Sequence, residues 1–181
     1  PATAGPTKPS SQPEANVVAG LQPGQSYYFA LKSYDNVGNA SGIVTAGPYT
    51  TIAPSSTQDM EGAPSMTVGS GTWALTTEQS FSPTHAWSDS PGGTYLDNIE
   101  TVLNFTNPIT VAPGMNLSFM AKYDLESGYD YVYFEVSNNG GASWSTLATV
   151  NGASDWKQFS ASLAAFSGQS VLARFRLKTD T

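Results

Sequence analysis

Seven carboxylates fall where turns rather than strands are expected, and their grouping is the first sign of chemistry. Asp59, Glu61, Asp89 and Asp97, with the amide of Asn98, make one group, and Asp124, Glu126 and Asp130 make a second. Calcium takes six to eight oxygens from carboxylates, amides and backbone, which loops of this composition supply. Either group could therefore hold a structural Ca2+, although no EF-hand-like spacing is present; the alternative is that these acids solvate or cap turns. A hydrolytic set would need a nucleophile, a base and an orienting acid. Ser82, His85 and Asp89 lie close in sequence, but no nucleophile elbow accompanies them, so the chain reads as non-enzymatic, with His85 packing beside Trp87. One histidine and no cysteine leave no zinc ligand set. Tyr131, Tyr133 and Trp144, beside Tyr129, offer flat rings on which a surface glycan could stack. Equally, Trp144 could belong to the core, and Tyr131 and Tyr133 could lie under a contact between domains.

The elements that must position these groups are strands. From residue 129 onward the alternation is strict: Val132, Phe134 and Val136 share one face, and Tyr131, Tyr133 and Glu135 the other. The turn Asn138-Asn139-Gly140-Gly141 supplies residues that tolerate positive φ, and Trp144 lies on the returning strand, so the stretch predicts a hairpin at the centre of a sheet. Val171, Ala173, Phe175 and Leu177 alternate with Leu172, Arg174, Arg176 and Lys178 in another strand. Glu126 and Glu135 have a second reading, as partners of Arg174 and Arg176 on neighbouring strands. Further strands are expected at 26–33, 43–51, 99–105, 109–111, 115–123 and 156–163, with a long polar loop over 82–95. No segment has a helical apolar period.

Composition limits the function. The chain has 181 residues, 17 glycines, 12 prolines and only 12% charged residues, which fits an all-β protein of two small units. With seven basic residues and a net charge of -7, it lacks the cationic stripe that displaces phosphate counterions, so nucleic acid is not an expected partner. No apolar run reaches the length of a membrane span. Residues 1–14 are rich in Pro, Ser and Thr and read as linker, and 53–58 as a boundary.

Two resemblances follow from these motifs. The series Leu21, Pro23, Gly24, Tyr27, Phe29, Asp35, Gly38, Asn39 and Ser41 resembles the second half of a fibronectin type III domain, over residues 15–52. There the Tyr after the Pro-Gly turn makes a tyrosine corner. Residues 59–181 resemble the jelly-roll module of immune inhibitor A type secreted metallopeptidases and some bacterial subtilases, a relative of MAM domains. The matching residues run from Ala86-Trp87-Ser88-Asp89 to Tyr95, from Tyr123-Asp124-Leu125-Glu126 to Tyr131, from Val136-Ser137 to Trp144, and over Arg174-Phe175-Arg176-Leu177. The hairpin turn itself resembles an Asp-box, with Asn139 in the Asp place, a motif that stabilises a turn and carries no activity.

The resemblance implies an all-β chain: a partial fibronectin type III-like sheet followed by a jelly-roll β-sandwich lacking its usual last strand. In related jelly rolls a metal holds the N-terminal strand against a later loop. It implies a non-catalytic adhesion or binding module of a secreted or cell-surface bacterial protein, with a peptidase as parent. Its partners would be the rest of a longer chain or neighbouring subunits, and a surface glycan or protein. Two alternatives remain, a carbohydrate-binding module and a structural subunit whose incomplete ends are filled by neighbouring chains.

Overall fold

The structure is a computed structural model that describes residues 17–22, 24–51, 57–61 and 65–181. The expected linker over 1–14 and Pro23 of the Pro-Gly turn lie outside the described residues. The chain divides into two compact units, Pro1–Ala53 and Pro54–Thr181.

In the first unit, β1 (Ser26–Leu31) pairs antiparallel with β2 (Val44–Thr50). The register puts Tyr27, Phe29 and Leu31 on the same face as Tyr49, Ala46 and Val44, an apolar face with Phe29 and Tyr49 in ring contact at 6.1 Å. Leu31 and Val44 are nonetheless 67% and 68% exposed. A bulge at Gly47 shifts the pairing; with φ at 126°, a Cβ there would meet the Tyr27 carbonyl oxygen at 2.8 Å, so only glycine fits. The Tyr27 hydroxyl accepts the backbone N–H of Gln22 at 2.8 Å, the corner contact that the sequence motif implies. Asp35 closes the turn over residues 35–39, accepting from the N–H groups of Val37 and Asn39 and from the Asn39 amide.

The second unit is an antiparallel β-sandwich. Its strands are β3 (Met66–Ser70), β4 (Ala74–Thr76), β5 (Ala86–Ser88), β6 (Glu100–Phe105), β7 (Ile109–Thr110), β8 (Asn116–Asp124), β9 (Tyr131–Ser137), β10 (Ser145–Val150), β11 (Ala153–Ser162) and β12 (Ser170–Lys178). A 3-10 turn, Ala164–Phe166, precedes β12. The main sheet runs β10-β9-β12-β6-β3, with β7 also on β12; β8 pairs with β11, and β4 with β5. The 137–144 hairpin therefore lies toward one side, with β10 at the edge and β12, not β9, in the middle. The polar loop expected over 82–95 contains β5, whose three residues are too few to show a period.

The two layers meet through side chains that alternation aims inward. Phe134, Val136, Val171 and Ala173 of the main sheet bury with Val111, Ala161 and Leu163. Phe119 of β8 packs on Phe134 at 5.5 Å and edge-on to Phe175 at 4.9 Å. A second cluster gathers Leu125, Val150 and Leu177, with Val132, Tyr123 and Trp73 against it. Val132, Phe134 and Val136 thus face the core, which leaves Tyr131, Tyr133 and Glu135 on the outer face.

Candidate functional site

The outer face of the main sheet carries the densest set of polar and aromatic contacts. Glu135 on β9 lies opposite Arg174 of β12, with Arg176 one pleat along on the same face. Both arginines of the chain are therefore brought to one carboxylate. Glu135 is 3% exposed and accepts from Arg174 Nε at 2.7 Å and from Arg176 Nη2 at 2.6 Å and Nε at 3.1 Å. Burial pushes its carboxyl up, but the hydrogen bonds and charges of Arg176 and Arg174 outweigh this and hold it below the ordinary carboxylate value. The same contacts hold the Arg176 guanidinium above its usual range.

Aromatic rings fix the planes of both guanidiniums. Arg174 lies 3.9 Å from the Trp144 ring centroid, and Arg176 lies 4.3 Å from that of Tyr133. Tyr131 stacks against Tyr133 at 5.9 Å and 27°. Trp144 therefore belongs to this outer surface, half-buried against Arg174. The turn before it is tied as an Asp-box would be. Asn139 Oδ1 accepts the Ser137 hydroxyl at 2.8 Å and the Ser143 N–H at 3.0 Å, and its Nδ2 donates to the Ser143 hydroxyl at 2.7 Å.

The acids expected to bind calcium do not all come together. Glu61 accepts from the His85 N–H at 2.9 Å, the Thr84 hydroxyl and His85 Nδ1, which hold its carboxyl low, Thr84 foremost. This grip holds Thr84 at φ 103°, a conformation costly for a β-branched residue. Asp59 accepts the Glu61 N–H with its side chain and the Ser82 hydroxyl with its carbonyl. Asp89 is partly buried, and burial pushes its carboxyl up; its Oδ2 is enclosed with no partner among the described residues.

Asp97, Asp124 and Glu126 line an open cleft of about 410 Å³ with Thr94, Tyr95 and Leu125. Asp130 is buried instead, accepting the Asp180 N–H at 3.1 Å. Among the described residues, no three His, Asp or Glu side chains converge to hold an ion. The carboxylates of Asp59, Glu61 and Asp130 are engaged by protein donors.

Ser82, His85 and Asp89 make no relay: the Ser82 hydroxyl donates to the Asp59 carbonyl, and the His85 ring bonds Glu61 and Thr84. One expectation, the pairing of Glu126 with the arginines, needs correction. Glu126 has no bond to Arg174 or Arg176; Glu135 takes both. The residue that sequence reasoning missed is Asn151. Its amide donates to the Glu126 and Asp130 carbonyls at 3.1 and 2.7 Å and accepts the Gly128 N–H at 3.0 Å, closing the 124–130 loop. An Asn-Gly pair just after a strand is the one signal that could have found it.

No protein-family profile matches the chain. It is 30% identical over 153 residues to bacillopeptidase F of Bacillus subtilis (strain 168), an alignment covering 76% of this chain and 11% of that protein. The chain thus spans about a ninth of the length of the curated relative it matches. A solved structure, described as the structural basis for the promiscuous specificity of carbohydrate-binding modules from the β-sandwich superfamily, superposes with a TM-score of 0.42. It has 16% identity over 86% of this chain and 68% of that one.

Proposed function

We propose that this chain is a non-catalytic accessory module of a larger extracellular protein of peptidase type, and that it binds rather than reacts. The observation that carries the reading is the outer face of the main sheet, where rings and guanidiniums are held in fixed planes on a rigid element. Such preorganisation lowers the entropic cost of capturing a ligand. The partial match to bacillopeptidase F supports a peptidase as parent. Glycans and extracellular proteins are the ligand classes such a face serves. The test is to incubate the purified chain with peptide and ester substrates, and separately with polysaccharides and cell envelopes. Retention on one of the polymers without turnover is expected. Turnover abolished by Ser82→Ala or His85→Ala would overturn the proposal.

The first unit favours a second reading, a subunit completed by neighbouring chains. Its two strands leave Leu31, Val44 and Tyr49 exposed on one apolar face, and a two-stranded sheet is marginal in water. This reading requires oligomers that grow with concentration in light scattering, and a strict monomer removes it.

A further inference from the structure

The contacts that hold Arg174 and Arg176 do not exhaust their donors. A guanidinium has five N–H groups. Among the described residues Arg174 donates only through Nε, and its Nη1 and Nη2 have no partner. Arg176 leaves Nη1 with a single neighbour, Glu100 Oε2 at 3.6 Å, beyond a hydrogen bond. The cations also repeat. Arg174, Arg176 and Lys178 follow one another on the same face of β12, spaced by roughly 7 Å at two residues per step. Against them on this face stand Glu135, which is buried, and Glu100, which pairs across from Lys178. Three cations against two acids leave +1 on this patch, in a chain whose net charge is -7. The rings point the same way: Trp144 and Tyr133 each have a face taken by a guanidinium. What this surface offers a ligand is a row of charged N–H edges beside aromatic carbon.

We propose that the outer face of β9 and β12 binds an acidic polysaccharide, a chain of uronic acid residues whose carboxylates sit on the free guanidinium edge of Arg174 and along Arg176 and Lys178. This rests on the binding reading above and names its ligand. A carboxylate accepts the two parallel N–H bonds that a guanidinium edge presents. A stiff polymer with regularly repeated carboxylates meets a row of fixed cations at less conformational cost than a flexible acidic peptide. Tyr131, stacked on Tyr133 at the end of the row, supplies a flank for a sugar ring.

The experiment measures binding of the full chain to polygalacturonate, its methyl-esterified form, a neutral galactan and polyglutamate, at low and high salt. Polygalacturonate should bind at least about tenfold more tightly than the esterified and neutral polymers, and salt should weaken it. Arg174→Ala should abolish the preference and Arg174→Lys should restore only part of it, because a lysine keeps the charge but not the fork. Lys178→Gln, exposed and outside the Glu135 pairing, should weaken binding about threefold and keeps the test readable if Arg174→Ala fails to fold. Equal binding of neutral and acidic polysaccharides, unaffected by Arg174→Ala, overturns the proposal and leaves the binding module standing. Polyglutamate bound as tightly through Arg174 overturns the glycan assignment, and no binding to any of the four overturns it outright. The binding-module reading then fails only if envelopes and proteins are not retained either.

Discussion

Replacing Glu135 by glutamine keeps its shape and removes the charge that two arginines share. The carboxylate is 3% exposed, and the side chains of Arg174 and Arg176 are 19% and 16% exposed, so neither guanidinium gains full hydration when its partner is lost. Removing one member of a buried charge cluster costs about 3 kcal/mol, mostly because the remaining charges stay buried and unpaired. For a unit of this size that lowers the midpoint by roughly 10 °C. Urea unfolding followed by tryptophan emission suits the measurement, because Trp144 stacks on Arg174.

The decisive comparison is the same substitution in an Arg174→Met/Arg176→Met background, where Glu135 is itself the unpaired buried charge and Glu135→Gln should stabilise. The pH profile has a definite sign. The Glu135 carboxyl is held below its ordinary value of 4.5, so its stabilisation is present above that pH and is lost as pH falls through the folded value. The gap between wild type and Glu135→Gln should therefore be constant from pH 7 to pH 5 and close below about pH 4.5. A loss under about 1 kcal/mol, or the same loss in both backgrounds, would refute this reasoning.

Three other perturbations separate the remaining loops. Asn151→Ala removes three hydrogen bonds from the 124–130 loop and should cost about 2 kcal/mol, with faster amide exchange at Gly128 as the local readout. Asp89→Asn should raise stability at pH 7 by about 1 kcal/mol. Burial lifts the Asp89 carboxyl, so its penalty appears as pH rises above its ordinary 3.8, and the gain should vanish at more acid pH. If the cleft lined by Asp97, Asp124 and Glu126 holds calcium, a chelator lowers the melting midpoint; a midpoint unchanged within about 1 °C removes that claim.

How much was legible depended on period. The faces of β9 and β12 follow from alternation alone, and so does the meeting of Glu135 with the arginines once those strands are neighbours. The Asn139 turn was legible from its motif, because its bonds span only a few residues. The fate of the acids was not. Glu61 finds its donors at Thr84 and His85, more than twenty residues away, and Asp130 meets Asp180 fifty residues on. No local pattern encodes such contacts. Trp144 was ambiguous for a different reason: it stands just before β10, where the chain is still turning and alternation does not yet assign a face.

The place of β12 governs when this unit can exist at all. Strand β9 brings β10 into the main sheet and β6 brings β3, but these two pairs join only through β12. Until residues 170–178 have left the ribosome, the nascent chain has two half-sheets with their edges open and Phe134 and Leu103 without the strand between them. Assembly is thus deferred until β12 has been made and demands pairings of high contact order, β6 with β12 being some seventy residues apart. A cell making this protein must keep those open edges solvated or chaperoned for that interval, at the cost of aggregation whenever elongation stalls before β12.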